Sequence, residues 1–249
     1  VAFQITRDES LLDVVNRTLS AVGFPNVTDA VGSNDPAVQQ MVQSVNQAGT
    51  DLLGMHDWQQ MLTTFSTTIQ ATEQPPESSI FVDLPEDFFA FKDQSQWNVS
   101  QQLPMIGPVL SQDWQRVTVR TADFVTRLLW RIKGNKWEIK SPPAEEQTIT
   151  MEYISQGWVK DADDSGLYKN IATKNGDIML LDNYLTYYLA KAKWLEVKGF
   201  DSAAAMRDFN VAFGQRFTID QGAPVLSLIN RTGYRYLDYW NIPDTNYGV

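Results

Sequence analysis

Residues 36–70 read PAVQQMVQSVNQAGTDLLGMHDWQQMLTTFSTTIQ, and the spacing of apolar residues changes once within them. Up to Met55 the apolar positions are Val38, Met41, Val42, Val45, Ala48 and Leu52, the three-and-four spacing of a helix with one buried stripe. Asp35-Pro36 supplies the start, a capping carboxylate followed by proline at the first helical position, where a missing N–H costs nothing. Gly49 and Gly54 each weaken this helix by up to about 1 kcal/mol relative to alanine. From Met61 the period becomes two, with Thr63, Phe65, Thr67 and Ile69 on one face of a strand. A helical segment therefore hands over to a β-rich one at residue 60.

Upstream, Ser10 caps a first helix, with Asp13 three residues on in a partial capping box. Leu11, Val14, Val15, Thr18 and Val22 carry its apolar face, widened by Leu12 and Leu19, and Gly23 with Pro25 ends it. The two helices read as an antiparallel hairpin closed near Trp58. Downstream, Ile80, Val82 and Leu84 form a second alternating run, after the loop ATEQPPESS. LPEDFFAF (84–91) reads as an apolar turn whose phenylalanines plug the base of the sheet. Ser111 to Trp114 opens a short helix. Leu128–Lys133 and Lys136–Lys140 flank Gly134-Asn135, a strong two-residue hairpin signal. Thr148–Ser155 adds a strand, which makes a meander of the set.

Residues 161–176 are polar and turn-rich and read as a connector. Asp182 caps a helix through Leu195 that ends at Gly199. Asp201 caps another, with Ala205, Met206, Phe209, Phe213 and Phe217 at helical spacing, ending at Gly222-Ala-Pro224. The expected fold class is α+β: a helical bundle of two antiparallel hairpins with an inserted β-rich module and an extended C-terminal arm. The corresponding divisions are a helical hairpin (1–60), a β module (61–160), a connector with a second hairpin that packs on the first (161–223), and the arm (224–249).

That arm, PVLSLINRTGYRYLDYWNIPDTNYGV, holds Tyr234, Tyr236, Tyr239, Trp240 and Tyr247 without helical period. Rings of this size bury on the order of 150–250 Å² each. Pro224, Gly233, Pro243 and Gly248 break any long element, so the rings must lie on another surface. At about 3.3–3.6 Å per residue the arm reaches roughly 85–90 Å. A fold back onto its own β module as an edge strand is the plainer alternative.

Thirty acidic and twenty basic residues leave a net charge of −10. This opposes a dedicated nucleic-acid binder and docking on anionic membranes. The chain has no cysteine, which removes disulfides, thiol nucleophiles and cysteine-ligated zinc. No apolar run is long enough to span a bilayer and no signal peptide is evident, so a soluble protein not exported by the Sec route is expected.

Chemistry-bearing patterns are sparse. His56 is the only histidine, so any Ser–His–Asp triad would use it, and a place at a helix C-terminus explains it more simply. Asp161, Asp163 and Asp164 resemble the front of a calcium loop. Ala172 stands where the bidentate glutamate belongs, which leaves at most a weak cation site and favours a solvated acidic turn. Glu145-Glu146 and Asp87 offer carboxylates for glycosidase chemistry without a spacing to support it. There, Asp87 most simply caps the next turn. The basic and aromatic run 127–140 is an ordinary amphipathic strand pair, since alternation sets Trp130 and Ile132 opposite Arg131 and Lys133. No phosphate-cradling loop is present. The reading is of a non-enzyme without cofactor or metal.

Several stretches together resemble the head-to-tail adaptor proteins of tailed bacteriophages, of the podovirus tail tubular protein A type. They are Leu12-Asp-Val-Val-Asn16 with Leu19 and Gly23, the helices through Asp57-Trp58, Leu84-Pro85-Glu-Asp87-Phe88, Ser111–Trp114, Glu152–Ser155 with Trp158, and Asn241–Gly248. The resemblance implies a virion structural protein at the head–tail junction, assembled in the host cytoplasm. Such proteins form a homo-oligomeric ring, commonly of twelve copies, below the portal protein. They help retain packaged DNA, which passes through the lumen without sequence-specific binding, and they offer the tail nozzle or other tail proteins a surface. The positions matching the partner clasp are Tyr234, Tyr236, Leu237, Tyr239, Trp240, Ile242 and Tyr247. Acidic lumen walls that do not hold phosphates would suit that role. The competing expectations are a glycan-binding or glycan-hydrolysing virion module, given eight tryptophans and nine tyrosines, and an ordinary cytoplasmic interaction domain.

Overall fold

The computed structural model describes residues 9–70, 79–119, 127–140, 145–164 and 166–221. Its helices are α1 (Leu11–Ala21), α2 (Pro36–Met55), α3 (Ser111–Val119), α4 (Asn183–Val197) and α5 (Ala203–Gln221). The strands are β1 (Leu62–Ile69), β2 (Ser79–Asp83), β3 (Phe88–Phe91), β4 (Trp97–Asn98), β5 (Leu103–Pro104), β6 (Leu129–Lys133), β7 (Lys136–Lys140), β8 (Gln147–Ser155), β9 (Val159–Lys160), β10 (Tyr168–Lys169) and β11 (Ile178–Met179). The fold is α+β, with its named strands paired antiparallel in three sheets.

The helix starts form for the reasons legible in the sequence. Ser10 and Asp13 complete a reciprocal capping box, each side chain accepting the other's backbone N–H. Asp35 accepts the Ala37 N–H at 2.8 Å, and Asp182 accepts those of Tyr184 and Leu185. Asp201 caps α5 through the Ala203 N–H at 2.9 Å. Helix α4 is the common partner, touching α1, α2 and α5. Its buried Leu185, Leu189, Ala190 and Trp194 share one core with Val14, Leu19, Met41, Val45 and Leu52.

The β half departs from the expected meander. β8 leaves β7 altogether and pairs with β1 along its length, from Leu62↔Ile154 to Ile69↔Gln147. Its other edge holds β3 and β4. β2, β7 and β6 make a separate sheet, so β1 and β2 belong to different sheets despite being consecutive. The hairpin β6–β7 turns as expected through Gly134 and Asn135, at φ 58° and 60°, the left-handed pair that a two-residue turn requires.

The stretch 84–91 is also not a bare apolar turn. Phe88–Phe91 is strand β3, held to β8 with one register shift between Phe88 and Ala90. Asp87 does not cap a turn. It accepts the Tyr153 hydroxyl at 2.8 Å and the Ser155 hydroxyl at 2.6 Å, which fastens β3's entrance to β8.

β8 runs through both cores. Ile149 and Met151 pack with Trp130, Trp137 and Ile139, whereas Ile154, with Trp158 just beyond, lies in the helical core. Trp158 meets α2 at Gly49, where a Cβ would come within 2.2 Å of the indole. That glycine is therefore a seat for the ring and not simply a weak point of the helix.

β6 and β7 are covered on both faces, which the amphipathic reading of 127–140 missed, while Phe81 of β2 stays exposed on the second face. Glu138 and Lys140 are as buried as Trp137 and Ile139. Helix α3 provides the cover: the Arg131 guanidinium lies 4.3 Å over the Trp114 ring and bonds Glu138 at 2.6 Å. Lys140 reaches the same indole and the Thr118 hydroxyl.

Candidate interaction surface

Helix α5 is the element that leads directly into the arm. Its inward side is set by Ala205, Phe209, Phe213, Arg216 and Asp220, a spacing of three and four that continues from apolar to charged residues. The rings of Phe209, Phe213 and Phe217 follow one another at 5.8 and 6.2 Å. Phe213 also meets the edge of Trp58 at 6.1 Å. Arg216 then bonds Asp182, the α4 cap, at 2.9 Å.

The last turn of α5 is clasped by the residues between α2 and β1. Asp220 Oδ2 takes a hydrogen bond from His56 Nε2 at 3.0 Å and from the Gln59 backbone N–H at 3.3 Å. His56 sits against Trp58 and Phe217, with its side chain only 5% exposed. So the single histidine closes the joint at the end of α5, beyond the helix-terminal role expected of it. The sequence held a signal for this: Asp220 falls four residues after Arg216, on the stripe that Phe209 and Phe213 begin.

More apolar surface lies on α5 than α4 covers. Ile219 on one flank, and Met206 and Phe217 on the other, remain exposed, as do Val211 on the outer face and Val197 and Phe200 where α4 gives way to α5. A helix with apolar residues on both flanks of its buried stripe is suited to a further partner.

The turn at 161–166 was expected to be solvated and acidic; Asp163 and Asp164 are exposed as expected, but its first carboxylate is not. Asp161 is 5% exposed and Asp177 fully buried. Asp161 accepts the N–H groups of Asp163 and Asp164, with Lys169 Nζ at 2.7 Å and Lys174 Nζ at 3.0 Å. Asp177 accepts Lys169 at 2.7 Å and the backbone N–H groups of Ala162, Thr173 and Lys174. Hydrogen bonds from Lys169, from the Asp163 amide and from Lys174 hold the Asp161 carboxyl well below its ordinary range. Burial pushes Asp177 upward, but Lys169 and the amides outweigh it and the net shift is down. Burial likewise opposes the charge of Lys169, and its two aspartates more than compensate, raising it. Lysines thus occupy the places a cation would take at Asp161 and Asp163. Among the described residues no group of three or more metal-binding side chains is assembled.

Two hollows lie elsewhere. A groove of about 740 Å³ runs between the first half of α2 and the connector, lined by Gln39, Gln43, Asn46 and Ile171. A smaller one, about 490 Å³, is lined by Glu86, Asp87, Gln156 and Lys169. Asp87 turns both its oxygens to Tyr153 and Ser155, and burial followed by that bond pushes the Tyr153 hydroxyl above its ordinary value. Glu145 and Glu146 are exposed, as an unremarkable like-charged pair should be.

The arm residues singled out from the sequence, Tyr234, Tyr236, Leu237, Tyr239, Trp240, Ile242 and Tyr247, lie outside the described residues. No protein-family model matches this chain, and no curated protein matches it. Among the described residues no helix is long and apolar enough to cross a membrane.

Proposed function

We propose that this chain is a virion structural protein, a non-enzymatic head-to-tail adaptor that forms a ring, commonly of twelve copies, below a portal. In this reading the two helical hairpins form a bundle around which copies associate, and the β-rich module is inserted between them. The arm carries Tyr234, Tyr236, Leu237, Tyr239, Trp240, Ile242 and Tyr247 to the portal or to tail proteins. DNA passes through the lumen without sequence-specific contact. No cofactor and no membrane take part, and the ring belongs to the virion's neck after assembly in the host cytoplasm.

One observation carries the proposal: a helix with apolar residues exposed on both flanks leads straight into an aromatic-rich segment. An obligate assembly surface has this character, because large apolar patches on a lone chain favour association. The net charge of −10 is also compatible with a conduit that does not retain phosphates.

The glycan-binding reading has less support. Trp58, Trp114, Trp130, Trp137, Trp158 and Trp194 are all buried, six of the eight indoles that a sugar-gripping platform would draw on.

The test is to mix the purified chain with the portal protein of the same virion and image the product by electron microscopy. A ring of added density below the portal is expected, and Tyr239→Ala with Trp240→Ala should abolish it while leaving the chain folded by circular dichroism. A chain that binds glycans and ignores the portal would overturn the proposal.

A further inference from the structure

The edges of the sheets are not equally protected. β6 is covered by the segment 106–109, with hydrogen bonds from Ile106 N to Leu128 O, from Trp130 N to Ile106 O and from Val109 N to Trp130 O. β5 is two residues long and contains Pro104, and β2 ends in Asp83, ion-paired with Lys136. β1 has none of these devices. It is eight residues of LTTFSTTI without charge, proline, glycine or bulge, in unbroken register with β8 on one side. Its other edge has no partner among the described residues. Thr63, Thr64, Ser66 and Thr68 are exposed. A long, regular, uncharged edge is a template for another strand, and folded proteins rarely leave one open.

The chain's own continuation begins close to the start of β1. Asp220 holds the Gln59 amide, three residues before β1 starts at Leu62. Beyond Gln221 come Gly222-Ala-Pro224, which stop a helix, and then Val225-Leu-Ser-Leu-Ile229, a five-residue run of strand-forming character. Four residues span about 13–14 Å, enough to bring Val225 to the entrance of β1. Tethering at this distance gives the segment a high effective concentration at β1, which a free peptide or a second copy lacks.

We propose that Val225–Ile229 of the same chain add to β1 as a parallel edge strand, placing β1 inside its sheet. The inference goes beyond the adaptor role and holds independently of it. It divides the arm into a proximal part fixed on its own subunit and a distal aromatic part, from Tyr234 onward, that starts at the far end of β1.

Hydrogen exchange on the full chain tests this without any portal, so its failure is distinct from failure of the adaptor role. Alternate β1 amides point away from β8, and with the added strand they should exchange at least about tenfold more slowly than exposed amides. Neighbouring residues in a strand direct their N–H groups to opposite sides, so one of Leu226→Pro and Ser227→Pro must remove a bond to β1. That variant should lose the protection while α2 amides stay unchanged. Because the chain lacks cysteine, Ser227→Cys paired in turn with Thr64→Cys, Ser66→Cys or Thr68→Cys reports the occupant directly. One pair should form a disulfide within a monomer. Disulfide-linked dimers alone would assign the edge to a neighbouring copy and overturn the proposal. So would unprotected β1 amides in the parent chain, or protection that survives both prolines.

Discussion

In α2 the residues facing the core are Val38, Met41, Val45, Ala48 and Leu52, while Gln39, Gln43, Gln47 and Thr50 face solvent. In β7 four consecutive residues are buried, and Glu138 and Lys140 are among them. The helix turns an apolar stripe to the core and buries only Ser44 and Asn46 as polar side chains, neither of them charged. The strand lies between an aromatic core and α3, and charged side chains occupy the second face because Arg131, Thr118 and the Trp114 ring receive them. Burial with partners is more fragile than burial of hydrocarbon. Loss of one member leaves a desolvated charge, whereas loss of a methylene leaves a small void.

The connector tests this difference most severely. Lys169 answers two carboxylates at once, and one of them, Asp177, is wholly inaccessible. Lys169→Met should cost about 4 kcal/mol, within the range for breaking a buried pair, measured by urea unfolding at pH 7. The sign of the pH dependence follows from the shifts. The aspartates are lowered, so their stabilisation is present above the unfolded value near 3.9 and disappears as pH falls through the folded values. Lys169 is raised, so its part is complete below the unfolded value near 10.4 and is lost as pH rises through the folded one. The gap between parent and variant should therefore be widest between about pH 5 and 9 and already smaller at pH 3, shrinking further as pH falls through the folded values. An equal gap at pH 3 and pH 7 would mean that packing of the lysine stem, not its charge, matters.

A somewhat smaller effect is expected in the sheet. Glu138→Ala strands Arg131 beneath α3 and should cost about 3 kcal/mol. The double variant Arg131→Leu with Glu138→Leu should recover most of that loss, since an apolar pair can replace a buried ion pair at little cost. Additive losses would show instead that the second face of β7 is wet, and the contrast with α2 would fail.

Much of this was readable from residue order, and the limit has a physical origin. Caps are local, so Ser10, Asp35, Asp182 and Asp201 announced their helices, and Gly134-Asn135 announced its turn. Pairing is not local. The alternation in Thr148–Ser155 marked a strand but could not say that its neighbour is β1, eighty residues earlier, and not β7 beside it in sequence. The same holds for Asp87, whose hydrogen-bond partners, Tyr153 and Ser155, are set by that pairing. Lys169 and Lys174 are unremarkable in sequence, and only the β9–β10–β11 turns bring them to Asp161 and Asp177. The aromatics between Tyr234 and Tyr247 were conspicuous because their spacing follows no helical period.

The contact between the two halves gives a third measurement. Gly49→Ala places a Cβ 2.2–2.5 Å from the six-membered ring of Trp158, a fully buried side chain three residues beyond β8. Overpacking of this kind costs about 1–3 kcal/mol, in spite of alanine's better helix propensity. A cycle with Trp158→Phe should relieve part of the cost. No relief would mean that α2 and β8 do not meet through this ring.

Gly54 lies five residues further along α2 and gives the smallest effect, with the opposite sign. Nothing lies within 4 Å of a Cβ built there, and the residue is exposed. Alanine at this position removes backbone freedom from the unfolded chain without touching anything in the folded one, so Gly54→Ala should stabilise by up to about 1 kcal/mol. For a chain of this size that raises the midpoint of thermal unfolding by about 2–4 °C. The two glycines share a helix and a propensity, so the difference in sign between them isolates the tertiary contribution of Trp158. If both substitutions stabilise, the helical half does not depend on the indole delivered by β8. If both destabilise, the last turn of α2 needs glycine for a contact of its own, next to His56 and the joint at Asp220.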